Sequence, residues 1–251
     1  MLSATIESVE SVLGTCPGLQ TLEQELIRQL AGISRIIEVT SDAVLCREGR
    51  RPDALHYLLD GQVALTQSAA GGSSAVIDVV HPISSLALAG VVADQPHMMT
   101  AQAIKPSRLL EISAGPLRRM ISIHSRLAVS MLQGLSVDVE AATRQVLDLK
   151  MRSSAQRLGC YLLSLVIGPA NGPIAFSLPY QKRLLAARLG CRYENLSRAF
   201  AVLRDYGVET HGSRVILHDI RRLQDFSVPD APVTAQPVRT AAEAFSRAFE
   251  F

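Results

Sequence analysis

Between Ala128 and Leu149, seven apolar residues (Ala128, Leu132, Leu135, Val139, Ala142, Val146 and Leu149) recur at spacings of 4, 3, 4, 3, 4 and 3. A mean period of 3.5 keeps one apolar line on the same side of an α-helix, and such a line is buried best by a second helix alongside. The spacing predicts a long helix paired with its counterpart in a second copy of the chain. A helix packed on its own domain is the alternative.

The texture differs on either side of this helix. Residues 22–34 place Leu22, Leu26, Ile27, Leu30 and Ile33 on one helical face. From Arg35 to Ile112 the chain breaks into short β-type runs: IIEVT, AVLCREG, HYLLDGQVALTQ, AVIDVV and SRLLEI. Glu48-Gly49, Asp60-Gly61, Gly71-Gly72, Pro82 and Pro106 punctuate them. Short strands at this spacing predict a small antiparallel barrel or sandwich. Beyond the heptads, residues 153–167 read as a helix, and a further helix is expected over Gln181–Leu189. Gly190 permits a turn into another helix from Tyr193 to Tyr206, with Leu196, Ala199, Phe200, Val202 and Leu203 directed inward. VETHGSRVILHD reads as two strands around His211-Gly212. Helix, turn, helix and hairpin in this order describe a winged helix-turn-helix.

The net charge of +2 is unevenly distributed. Residues 1–149 carry 11 basic and 15 acidic side chains, whereas residues 150–226 carry 12 and 5. A basic segment behind an acidic one points to a polyanion partner for the second part alone. Cys16, Cys46, Cys160 and Cys191 are too far apart for a local metal or cluster motif. The acidic N-terminus lacks the apolar core of a signal peptide, and Val79–Ala93 is interrupted by Pro82, Ser84 and Ser85. A cytoplasmic location with no membrane association is expected.

The stretch LPYQKRLLAARLGCRYENLSRAFAVLRDYGVE, together with the β-type region and the long helix before it, resembles the Crp/Fnr family of bacterial transcription regulators. The family's C-terminal signature has the same form: an L-A-x-x-L-G helix, then x-x-E-x-x-S-R, then a wing. The stretch HPISSLALAGVVADQPHMMTAQAIKPSRLLEI looks most like regulators of the FtrB type. The resemblance implies an α+β chain with an antiparallel, cyclic-nucleotide-binding-like β-roll at 20–114 and a dimerisation helix at 115–150. A winged helix-turn-helix follows at 151–226, and a Pro/Ala-rich linker with a short extension at 227–251.

The expected partners are double-stranded DNA, a second copy of the chain and, for an activator, RNA polymerase. Glu194, Ser197 and Arg198 lie at i, i+3 and i+4 and project from one helical face. Arginine can form two hydrogen bonds with guanine, and glutamate can accept one from cytosine. In Fnr-like members the matching residues read bases. Crp-like members have an arginine directly before the glutamate; this chain has Tyr193, which favours a TTGA-type inverted repeat. Lys182, Arg183, Arg188, Arg192 and Arg214 are candidate phosphate contacts. The competing readings are a solvated basic face and a Glu194–Arg198 surface ion pair.

Nucleotide-binding relatives carry a Gly-Glu for the ribose and an Arg-Ser for the cyclic phosphate. This chain has no Glu between Ser84 and Ala93, and the Arg-Ser places hold His97 and Met98. Without a guanidinium there is no bidentate phosphate clamp, so cyclic AMP control is not expected. An iron–sulfur sensor is not expected either, because Cys16 stands alone where the family's cluster-binding members have several cysteines. Leu86, Leu88, Val91, Val92, His97, Met98 and Met99 could line a pocket for a small hydrophobic effector, or form plain core. No cofactor is expected, although His56, His81, His97 and His124 leave haem as an alternative. The scattered histidines and the lack of a nucleophile–base pair argue against an enzyme. The remaining alternative is a sensor or partner-binding module whose helix-turn-helix is not primarily a DNA reader.

Overall fold

Strands as short as those between Ser34 and Ser113 gain stability only by pairing, and eight of them pair into two four-stranded antiparallel sheets. The computed structural model describes residues 9–68, 74–80, 82–166, 172–179 and 181–228. They fall into two units, with the division between Ala141 and Ala142.

In the first unit, α1 (Gln24–Ala31) precedes β1 (Ser34–Val39), β2 (Val44–Cys46), β3 (Ala54–Asp60), β4 (Val63–Ser68), β5 (Ser74–Val80) and β6 (Ser84–Leu86). Then come a short helix α2 (Leu88–Ala93), β7 (Thr100–Ala103), β8 (Ser107–Ser113), α3 (Ala114–Ile123) and α4 (Ser125–Met151), whose last ten residues belong to the second unit. The sheet orders are β1-β8-β3-β6 and β2-β7-β4-β5. HYLLDGQVALTQ therefore holds two strands, divided at Asp60-Gly61. Gly61, at φ +96°, makes the turn between them, and a Cβ there would lie 2.6 Å from the Pro106 carbonyl oxygen.

Alternation along β3 and β8 builds two cores. Leu58 and Leu109 meet Val63, Leu86 and Ala101 from neighbouring strands. Leu55, Tyr57, Leu110 and Ile112 pack instead against Leu26, Ile27 and Leu30 of α1, Leu117 of α3, and Leu127 and Met131 of α4. Each such side chain, fully buried, contributes about 1.5–3 kcal/mol. Val9, Leu13, Cys16 and Leu19 also belong to this second core, so the unit begins earlier than the expected residue 20. Across β1, β8 and β3, Glu111 links two strands: it accepts from Arg35 Nε at 2.6 Å and pairs with His56 Nε2 at 3.3 Å.

In the second unit, α5 (Ser154–Ser164) is followed by β9 (Ile174–Ser177), α6 (Lys182–Arg188), α7 (Tyr193–Arg204), β10 (Val208–His211), β11 (Arg214–Leu217) and α8 (Ile220–Ser227). The hairpin β10–β11 gains β9 as a third strand. α5 opens with a capping box between Ser153 and Gln156. It packs on α7 and α8, and a Cβ at Gly159 would collide with Ser227. Apart from Ser227 and Val228, the expected extension at 227–251 lies outside the described residues.

His56 and His97 are buried, and desolvation holds both imidazoles below their ordinary range, Glu111 pulling the other way at His56. The unfolded chain therefore takes up protons that the folded chain resists. Stability is fully present above the ordinary imidazole range and falls with pH below it. Urea denaturation of the whole chain between about pH 7.5 and about pH 5.5 should show the midpoint decreasing as pH falls. In His56→Gln that decrease should be shallower.

Candidate DNA interface

The apolar residues of α7 divide its surface. Leu196, Ala199, Phe200 and Leu203 are buried, while Tyr193, Glu194, Ser197 and Arg198 are exposed. Val202, expected to face inward, lies on the flank of this stripe and is exposed. Glu194, Ser197 and Arg198 thus form one edge that a ligand can reach. Arg198 Nη2 donates to Asn195 Oδ1 at 2.7 Å, which restrains the guanidinium along the helix. The competing reading, a Glu194–Arg198 ion pair, is not what holds the arginine.

The angle of α7 is fixed by its turn. Gly190 sits at φ +60°, where a side chain is strained, and a Cβ there would lie 2.5 Å from Leu149 Cδ2. From α5, Arg157 reaches the same turn. Its Nε donates to Leu189 O at 2.9 Å, its Nη1 to Arg152 O at 2.7 Å, and its Nη2 to Gly190 O at 3.5 Å. Nothing in the sequence singles out Arg157. Its helical position among apolar residues looks like an ordinary exposed cation, and only the folded turn supplies the acceptors.

The basic residues are placed unequally. Arg183, Arg192 and Arg214 are exposed, and Lys182 and Arg188 are half-buried. Lys182 Nζ lies 5.3 Å from the Phe200 ring centre, and the Arg188 guanidinium lies 5.9 Å from that of Tyr161. Lys182, Arg183 and Tyr193 line an open groove of about 440 Å³ together with Leu178, Gln181 and the wing residues Gly212 and Ser213. Two cations, a phenol and a tight backbone turn facing one groove suit a phosphate-bearing ligand.

The heptad residues also separate. Leu132 is 62% and Val139 64% exposed, and Ala142, Val146 and Leu149 are exposed as well. Ala128 and Leu135 are only half-exposed, and Leu135 packs on the chain's own core, which removes it from a clean outer seam. Leu149 meets Gly190. The buried side of α4 is Leu127, Ser130 and Met131, with Ser130 Oγ donating to Gly18 O.

The residues of the expected effector pocket do not share one wall. Leu86 lies in the core between the sheets, whereas Leu88 and Val91 lie in the other core, with Val92 packed against it. Met98 is 79% exposed and Met99 half-buried. α2 is held between Ala87 and Asp94, both left-handed, and Asp94 accepts from Arg51 Nη1 at 2.9 Å and pairs with Arg118 Nη2 at 3.3 Å. His97, where a phosphate-clamping arginine would be needed, is buried, and its Nδ1 has no hydrogen-bond partner among the described residues. Such an imidazole does not replace a guanidinium. Of the histidines considered for haem, His56 is tied to Glu111, His124 ends α3, and His81 lies outside the described residues. Burial pushes the Cys16 thiol up to about 12, which disfavours the thiolate a cluster ligand needs. Among the described residues, no group of three or more His, Cys, Asp or Glu side chains is arranged to hold a metal ion, and no helix is long and apolar enough to cross a membrane.

Comparison with known proteins agrees with this architecture. Residues 36–124 match the cyclic nucleotide-binding domain and residues 156–226 the Crp-like helix-turn-helix domain. The cAMP-activated global transcriptional regulator CRP of Pasteurella multocida is 22% identical over 185 residues, covering 72% of this chain and 88% of that protein. FixK2 of Bradyrhizobium japonicum superposes with a TM-score of 0.65 at 18% identity, covering 79% of this chain and all of that one. TTHA1359 of Thermus thermophilus, a regulator of the CRP/FNR family, gives 0.60 at 19% identity, covering 78% of this chain and all of that one. With both domain types in this order, an antiparallel sheet unit, a long helix and a helix-turn-helix, the chain belongs to the Crp/Fnr family of DNA-binding transcription regulators.

Proposed function

We propose that the chain acts as a homodimer on a two-fold DNA site of the TTGA type, with Glu194, Ser197 and Arg198 reading base edges in the major groove. The observation that carries this reading is the exposed polar edge of α7, backed by a buried apolar stripe and steadied by the Arg198–Asn195 hydrogen bond. Lys182, Arg183, Arg188, Arg192 and Arg214 neutralise phosphates and set the register of the helix without specifying sequence. Two such helices on a two-fold dimer match half-sites about one helical turn, ~34 Å, apart.

The seam is the exposed side of α4, centred on Leu132, Val139 and Val146, which are seven residues apart. The protein works where the DNA is, in the bacterial cytoplasm, and as an activator it would engage RNA polymerase. The signal it answers is neither cyclic AMP nor an iron–sulfur cluster. This rests on a buried, unpaired His97 in place of the phosphate clamp and on a buried, protonated Cys16.

Arg198→Ala should weaken binding to the preferred site by about 1–3 kcal/mol and relax the preference at one base position. Selection from a randomised duplex pool checks this; an unchanged preference removes Arg198 from the base readers. Val139→Glu should leave the fold intact and yield monomers in sedimentation velocity, with specific binding lost. A dimeric Val139→Glu protein would contradict the seam. Leu135 is a poorer probe, because its substitution also damages the core. Arg157→Met should lower unfolding free energy by about 1.5–3 kcal/mol, the range for hydrogen bonds to a charged group. It should also weaken binding to preferred and unrelated duplexes alike, as measured by anisotropy.

A further inference from the structure

The wing carries a cluster that base and phosphate reading do not use. Glu209 and His211 are two residues apart on β10, so they share its outer face. His218 follows β11 and reaches the same carboxylate. His211 Nε2 lies 2.7 Å from Glu209 Oε1, and His218 Nε2 lies 2.8 Å from Glu209 Oε2. All three side chains are about half exposed or more. Each imidazole takes a different oxygen, so the three nitrogen and oxygen donors do not converge on a point as metal ligands do.

We propose that Glu209, His211 and His218 form a proton-operated charge switch in the wing, which strengthens its hold on the DNA backbone as pH falls. This proposal rests on the DNA-binding reading above. With both imidazoles neutral, each must present its Nε2–H to the carboxylate, and the trio carries one negative charge. After two protonations the trio carries one positive charge, and each Nδ1–H is a further donor. Imidazole is the side chain that changes charge in the physiological pH range. The hydrogen bonds from His218 and His211 hold the Glu209 carboxyl below the usual carboxylate range, so it stays ionised throughout.

The location gives the change a consequence. His211 adjoins Gly212, which turns at φ +62° and lines, with Ser213, the groove shared with Lys182, Arg183 and Tyr193. The other charged groups around the trio are few. Arg214 stands opposite His211 in the β-ladder. Asp219 follows His218 and is engaged in accepting from the Arg222 backbone N–H at 2.9 Å, and the Arg222 guanidinium lies over Tyr206. Arg204 and Asp205 end α7, which packs on β10, and β9 contributes no charge. The wing therefore goes from near-balance between Glu209 and Arg214 to a clear positive excess.

The test is fluorescence anisotropy with the full chain at about pH 6 and about pH 8 at fixed ionic strength, using an inverted-repeat duplex and a scrambled duplex of equal length. Affinity for both duplexes should be at least about threefold higher at the lower pH, with a steeper salt dependence there, because the added contacts are to the backbone. The His211→Gln/His218→Gln double variant should lose this pH effect. Glu209→Gln should bind more tightly than the native chain at the higher pH and respond less to acid. A native affinity that ignores pH, or a double variant that keeps the full response, overturns the switch while leaving DNA binding intact. A response abolished by EDTA assigns the trio to a metal and also overturns it. No binding to either duplex at any pH would overturn the DNA reading and this proposal together.

Discussion

A helix proposed to read DNA needs a defined angle, and one guanidinium anchors the turn from which α7 starts. Arg157 spans the backbone carbonyls of Arg152, Leu189 and Gly190, so it joins the start of α5 to the turn that launches α7. The acceptors are main-chain oxygens at helix ends, which have no partners within their own helices. A charged donor in this half-buried place satisfies orphan acceptors and anchors the turn in a single step. Gly190 completes the arrangement, because its missing Cβ lets Leu149 close against the turn. The exposed edge of Glu194, Ser197 and Arg198 rises from this fixed frame.

The sequence disclosed those parts whose physics is local and periodic. The heptads defined a long helix, and alternation with turn residues defined the longer strands β1, β3, β4, β5 and β8. The E-x-x-S-R edge was visible because the stripe beneath it repeats at helical spacing. What escaped was short or relational. β6, β7 and β9 have three or four residues each, too few for alternation to register. α2 is bounded by Ala87 and Asp94 in left-handed conformation, which no propensity anticipates for alanine. Leu135 and Leu149 carry the same heptad signal as Val139, but the fold gives them contacts within the chain. Arg157 had no signal, because the two turn carbonyls it holds, those of Leu189 and Gly190, come from more than thirty positions away.

The sheet unit keeps the family framework, and the proposed loss of cyclic nucleotide control rests on a few of its side chains. Strand alternation still closes two apolar cores, and the acid–base ladder Arg35–Glu111–His56 still binds β1, β8 and β3. At the place where an anion clamp needs a fixed guanidinium, a buried imidazole stands beside Gly90, and the neighbouring methionine projects to solvent. Arg51 and Arg118, the cations close to α2, are committed to Asp94.

Helix capping in the second unit follows the same division between holding and reading. The helices that tie the domain together, α5 and α8, are capped by their own side chains, Ser153 and Asp219. α6 opens at Gln181 and α7 at Arg192 without a side-chain cap, which leaves the first amide groups of α7 available to a partner. Capping by aspartate or serine would stabilise α7 by about 0.5–2 kcal/mol. Accepting that loss is intelligible where the partner itself supplies acceptors, as phosphate oxygens do at a helix N-terminus. Arg192 at the same position adds a charge that a carboxylate cap would cancel. Side-chain capping is thus absent at the two helix starts beside the groove, Gln181 and Arg192, and present at the two that secure the domain.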